Sequence, residues 1–143
     1  MDAQSVIEKF KMRPHPEGGW YVETHRDCGD EGGRGAVTAI YFLLEAGQRS
    51  HWHRVDATEI WLWHAGAPLQ LDIAADAGTT DLHNVTLGPD VAAGQAPQGV
   101  VPKATWQSAE SLGDWTLVSC VVAPAFDFAG FELAPPGWAP GGS

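Results

Sequence analysis

Basic residues are scarce in this chain. Eight Lys plus Arg stand against eighteen Asp plus Glu in 143 residues, for a formal net charge of −10. Nucleic-acid binding draws on a basic footprint that neutralises phosphates, and no such footprint is present. Anionic membrane surfaces are disfavoured for the same reason. Long apolar runs are also lacking, and none approaches the ~20 residues that cross a bilayer. The opening MDAQSVIEKFKMRPHPEGG holds no apolar core of the signal-peptide kind. The cytoplasm is therefore the expected compartment. Cysteine is limited to Cys28 and Cys120, too few for a disulfide framework, and both are expected as free thiols. Internal repeats and domain linkers are missing as well. One domain is expected over residues 1–134, followed by a flexible tail, PPGWAPGGS, over 135–143.

What the chain does have is apolar and aromatic mass. Hydrophobic residues make up 44%, enough for a proper core at this length. Seven tryptophans, Trp20, Trp52, Trp61, Trp63, Trp106, Trp115 and Trp138, are suited to filling a barrel, a subunit contact or a pocket wall. A short helix is predicted over residues 3–11, with Asp2 as N-cap, Val6, Ile7 and Phe10 as its apolar stripe, and Pro14 and Pro16 ending it. Beyond the Gly-rich loop DCGDEGGRG the pattern is β throughout. AVTAIYFLLE is apolar on both alternating faces, which predicts a strand covered on both sides by barrel interior and another sheet or subunit. PLQLDIA alternates cleanly, VVPKATWQSAE and DWTLVSCVVAP read as two further strands, and FDFAGFELA closes the fold. Short strands with turns every eight to twelve residues argue for an antiparallel sandwich or barrel.

Chemistry concentrates in GQRSHWHRVDATEIWLWHAG, residues 47–66. His51 and His53 are one residue apart and so share one side of a strand. Glu59 returns beside them if the chain turns back. Two imidazoles and a carboxylate form a ligand set for Fe, Mn, Ni or Zn. The same groups form a base and its orienting partner with no metal at all. Alternation places Glu59, Trp61 and Trp63 on one face and Ile60, Leu62 and His64 on the other. An inward Glu59 needs a partner, a metal or a proton to offset its burial. The two indoles beside it would then form an aromatic wall for a sugar or planar ring.

Gly47, His51, His53, Glu59 and Gly66 stand in the order of the first cupin signature, a glycine, His-x-His, a glutamate and a closing glycine. The gap from His53 to Glu59 is one residue longer than in that signature. The second signature, Pro-x-Gly-x-x-His, aligns with Pro102 to Gln107. Ala104 replaces its glycine, and Gln107 stands where the last histidine ligand would be. Three further stretches, HPEGGWYVETHR, LGPDVAAGQAPQGVVPKATWQSA and VAPAFDFAGFELA, extend the likeness over residues 5–134. Across that span the chain resembles a bacterial and fungal family of uncharacterised small cupins, similar in fold to the RmlC-like sugar-nucleotide epimerases.

The resemblance implies an all-β double-stranded β-helix, or jelly-roll barrel, with a short N-terminal helix, pairing as a homodimer through its sheets. It implies one divalent ion (Mn, Fe, Ni or Zn) held by His51, His53, Glu59 and Gln107, or a pocket that works with none. The PHPEGG segment would fold over the barrel mouth and bring in Glu17. His53 and Glu59 are then the expected catalytic pair, with Trp61, Trp63, Gln107 and Glu17 lining the substrate pocket. Two readings stay open. One is an enzyme acting on a small polar molecule, a sugar derivative or an organic acid, through the metal or through His53 as an epimerase-like base. The other is a non-catalytic module that binds a small ligand.

Overall fold

The computed structural model describes residues 1–142. Helix α1, Ala3–Phe10, begins where the Asp2 carboxylate accepts from the Ser5 N–H at 2.9 Å. It buries Ala3, Val6 and Ile7. It stops earlier than expected, and not at the prolines. Lys11 takes a left-handed φ of 55°, and the Met12 N–H donates back to the Ile7 carbonyl, a hydrogen-bonded helix stop. Pro14 instead lies in a two-residue edge strand, β1, Arg13–Pro14, where its missing N–H costs nothing.

Ten more strands follow: β2 Trp20–Cys28, β3 Arg34–Glu45, β4 Arg49–Val55, β5 Thr58–Gly66, β6 Leu69–Ala74, β7 His83–Leu87, β8 Gln98–Val101, β9 Trp106–Ser111, β10 Trp115–Ala123 and β11 Phe131–Leu133. They form two sheets, ordered β1-β2-β3-β10-β5-β8 and β11-β4-β9-β6-β7. Every strand-to-strand ladder is antiparallel. The chain crosses between sheets at the short Asp56–Ala57 turn joining β4 to β5. This is a jelly-roll barrel with one N-terminal helix, as the strand pattern and the resemblance led us to expect.

Two details depart from the expected strands. VVPKATWQSAE is not one strand but two, β8 and β9, in different sheets. The chain turns through Pro102–Thr105, with Ala104 at a φ of 64°. The outer face of β3 is covered by α1, whose Val6 and Ile7 pack with Leu43 and Leu117, rather than by a further sheet.

Between the sheets the main core gathers Phe42, Leu44, Trp61, Leu69, Leu71 and Val118, all fully buried. Each such side chain contributes about 1.5–3 kcal/mol by leaving water. This apolar plug fills one end of the barrel. The other end, near the β4–β5 turn, is not filled.

A smaller cluster ties down the C-terminal segment. Trp138 lies 4.6 Å from the Trp106 ring and 6.4 Å from Trp52, centroid to centroid. The Gly141 N–H reaches the Ala77 carbonyl at 2.8 Å. Residues 135–142, expected to be loose from their Pro and Gly content, thus carry an aromatic anchor; Ser143 lies outside the described residues. Replacing Trp138 with Ala should lower stability by about 1–2 kcal/mol, less than the ~3–5 of a fully buried tryptophan. A urea midpoint that drops at constant m value would show this, and a free tail would leave the midpoint unmoved.

Candidate functional site

The unfilled end of the barrel is a cavity of about 240 Å³. His53 from β4, Glu59 from β5 and Glu17 from the loop before β2 meet in its wall. All three are buried.

Glu17 arrives there because of its loop. His15 and Gly19 close a tight turn through two backbone hydrogen bonds, His15 N–H to Gly19 C=O at 2.9 Å and Gly18 N–H to His15 C=O at 3.0 Å. The loop docks on β4 when the His51 N–H donates to the Glu17 carbonyl at 2.8 Å. Gly18 has a φ of 110°, and a Cβ there would stand 2.2 Å from the Arg49 carbonyl oxygen. No other residue type fits this contact.

Docked this way, Glu17 sets its carboxylate 2.8 Å from His53 Nε2, with both side chains almost wholly out of solvent. The other ring nitrogen, Nδ1, donates to the His51 carbonyl at 2.8 Å. Both nitrogens therefore carry protons. Burial alone would push the His53 pKa down, but the Glu17 carboxylate outweighs it, helped by Glu59, and the ring rises to about 9. For Glu17, burial works to raise the pKa and the imidazolium overcomes it, so the carboxyl sits below its ordinary value. The pair is an imidazolium–carboxylate pair at neutral pH. His15, whose side chain is largely out of solvent, is pushed the other way by desolvation and stays neutral. Its Nδ1 accepts from the Glu17 N–H at 3.1 Å.

Glu59 is treated differently by its surroundings. Burial raises its pKa, His53 opposes this, Glu17 adds to it, and the result is about 7. Its Oε1 accepts from Gln107 Nε2 at 2.8 Å, and Gln107 Oε1 accepts from the Trp61 indole at 2.8 Å. An indole N–H can only donate, so it fixes which way the Gln107 amide faces. The Cys120 thiol lies on the same wall, and burial followed by the nearby Glu59 pushes its pKa well up.

The structure thus brings His53, Glu59 and Glu17 together in the cavity wall, with Gln107 fully buried behind Glu59 and not on the wall where it was expected, and it does not bring in the other expected residues. His51 turns away and donates its Nε2–H to the Pro135 carbonyl at 2.9 Å. The β4–β9 register shifts between Ser50 and His53, and this irregularity breaks the alternation that put both histidines on one side. Trp61 and Trp63 pack at the inner core as their parity requires, but they do not line the cavity. At ~3.3 Å per residue along β5 they lie about 7 and 13 Å deeper than Glu59. Trp63 is held by its indole N–H on the Ala67 carbonyl at 3.0 Å. His15, Tyr21, Arg13 and the phenylalanines Phe126, Phe128 and Phe131 do line the cavity. Sequence reasoning had not assigned them there, though three phenylalanines in six residues of FDFAGF was an available signal.

The resemblance implies a divalent ion, and the donor set does not fit one. His51 is spent on Pro135, both His53 nitrogens hold protons, and Gln107 turns its oxygen to Trp61 and its NH2, which is no ligand, to Glu59. Among the described residues no group of three or more His, Cys, Asp or Glu is arranged to hold a metal.

Two antiparallel sheets rolled into a barrel, filled at one end and open to a cavity at the other, define a cupin. The particular family follows from the sequence: the family described as Cupin superfamily (DUF985) matches residues 4–134, and the chain belongs to it. A protein from Shewanella oneidensis is 36% identical, with a TM-score of 0.87 over 94% of this chain and 85% of that one. A hypothetical protein from Leishmania major is 33% identical, with a TM-score of 0.83 over 94% and 88%. A cupin 2 conserved barrel protein from Rhodopseudomonas palustris shares the fold at 16% identity and a TM-score of 0.57, over 87% and 73%. No curated protein matches the chain in sequence.

The buried pair has a pH signature. The folded-state pKa of His53 lies above its unfolded value of 6.5. Its contribution is therefore complete below pH 6.5 and is lost as pH rises through about 9. The melting temperature should fall across this window. Glu17→Gln should lower stability at neutral pH and flatten the fall, because the ring then has no carboxylate to hold its extra proton. Melting curves from pH 6 to 10 on both proteins check this; a wild-type curve flat over that range would contradict it.

Proposed function

We propose that this barrel is an enzyme that moves a proton on a small polar molecule without a metal, with Glu59 as the group that takes and returns the proton. One observation carries this reading. Two carboxyl groups lie in the cavity wall with their protonation pushed in opposite senses, Glu17 below its ordinary value and Glu59 up to about 7. Such divergence is characteristic of acid–base sites.

The roles divide differently from the expected pair with His53 as base. Both His53 protons are committed to Glu17 and to the His51 carbonyl. The ring works as a fixed positive charge that lets Glu59 ionise near neutrality. Glu59, held by Gln107, then accepts a proton from a substrate C–H or O–H and gives it back, on the same or another atom. Tyr21, also on the cavity wall, is the available hydroxyl for the opposite side of the substrate. A binding module would need the charge on His53 but would gain nothing from a carboxyl that titrates near pH 7.

A second copy of the chain is the partner this reading carries. The outer faces of β3, β5, β8 and β10 present Ala39, Val121, Ile60 and Val100 as a cross-strand row, with Leu62 beside Ile60 on β5. No formal charge interrupts them. A chain with a net charge of −10 can meet its own copy only where like charges are absent. Two free thiols, Cys28 and Cys120, fit the cytoplasm as its compartment.

Exchange of substrate protons into D2O, followed by NMR over a panel of small sugars and organic acids, tests the reaction. Exchange should turn on near pH 7 and turn off as His53 loses its proton near pH 9. Glu59→Gln should cut it by about 10²–10⁴-fold, and EDTA should leave it unchanged. Exchange that survives Glu59→Gln, or that stops with EDTA and returns with one divalent ion, contradicts the proposal. Saturable binding with no exchange from any compound would turn the reading to the binding module.

A further inference from the structure

The chain has five arginines, and four of them are neutralised. Arg26 pairs with Glu23, Arg34 with Asp56, Arg49 with Asp72 and Glu110, and Arg54 with Glu132. Arg13 is the exception. Among the described residues it has no carboxylate within 4.0 Å and no side-chain hydrogen bond, and it lines the cavity from strand β1. In a strongly acidic chain, an exposed arginine at the mouth of a pocket with no carboxylate in contact is a positive charge free to meet a ligand.

The other charges there are already balanced. Glu23 is bound by Arg26, which also donates to the Phe126 carbonyl at 2.9 Å. Glu17 is bound by His53. The remaining rim is apolar and aromatic. Phe126, Phe128 and Phe131 pack on one another at 4.9–5.9 Å between ring centroids. Phe128 is 54% exposed while lining the cavity. An exposed phenyl ring beside a lone guanidinium matches a molecule with a flat apolar part and an anionic end. Size sets the limit. A cavity of about 150 Å³ accepts benzene, so one of about 240 Å³ accepts a single ring with one small substituent. A nucleotide sugar is too large for it.

We propose that the cavity takes a small organic carboxylate with a single apolar ring, whose carboxylate is held by Arg13 and whose ring lies against Phe128. The guanidinium fork matches the two carboxylate oxygens. The ring then reaches inward toward Glu59. This rests on the cavity being a small-molecule site, as in the proposed function, but it does not rest on catalysis.

Isothermal titration calorimetry on the full chain tests it, with benzoate, cyclohexanecarboxylate, benzamide and phenyl phosphate as probes. At least one of the two carboxylates should bind, and benzamide should bind at least tenfold more weakly. Arg13→Gln should weaken the carboxylate at least tenfold, and Arg13→Lys should restore part of the loss. Phe128→Ser should weaken cyclohexanecarboxylate. Arg13 is exposed, so these variants should keep the wild-type circular dichroism and melting temperature. The proposal is overturned if neither carboxylate binds, if Arg13→Gln binds as well as wild type, or if benzamide or phenyl phosphate binds better. Glu59-dependent exchange on a neutral sugar would overturn it while leaving the proposed function standing. Arg13-dependent carboxylate binding with no exchange would do the reverse.

Discussion

A carboxylate and an imidazole buried together at the open end of the barrel hold each other charged, and the site is organised around that pair. Neither ion would be stable alone where it lies. Desolvation pushes the Glu17 pKa up and the His53 pKa down, and their 2.8 Å contact is the main force that reverses both. Taking one partner away from such a pair leaves an uncompensated buried charge or forces the survivor to neutralise. The pair also acts on Glu59, whose pKa burial raises; His53 opposes that rise and Glu17 adds to it, and the carboxyl titrates at about 7, close to an ordinary imidazole.

The pair in turn depends on backbone geometry some distance away. Glu17 belongs to no strand. It is held by the turn from His15 to Gly19 and by one hydrogen bond from β4. His53 is held by the strand itself and by the His51 carbonyl. One segment is therefore rigid by virtue of the sheet, and the other by virtue of Gly18 lying flat on the Arg49 carbonyl. Local loop chemistry, core packing and electrostatics meet in a single contact.

Much of this was legible from residues alone. Alternation in PLQLDIA and in TEIWLWH, the double-sided apolarity of AVTAIYFLLE and the ordered His, His, Glu and Gly positions were enough to expect a barrel and to point to a candidate site. His53, Glu59 and Glu17 do come together in one cavity wall, with Gln107 behind Glu59. The misreadings have physical causes. His51 lost its shared face to a register shift that one strand's sequence does not display. Trp61 and Trp63 have the expected parity but lie too deep, because periodicity reports the face of a strand and not the level along the barrel axis. The break between β8 and β9 hides in PKAT, where a non-glycine residue, Ala104, takes a positive φ. Arg13 was out of reach, since β1 and the segment around Phe128 meet only through the fold, whereas the phenylalanine rim left a trace in FDFAGF.

Gln107 and Trp61 constrain each other inside the barrel. A histidine at position 107 would bring the chain closer to the ligand pattern of the second cupin signature. It would also remove the oxygen that receives the Trp61 indole N–H and leave a fully buried donor without a partner, at about 1–3 kcal/mol. Position 61 would have to change as well before such a ligand could be tolerated. Changing either residue alone breaks this contact, so positions 61 and 107 are energetically coupled and a substitution at one is felt at the other.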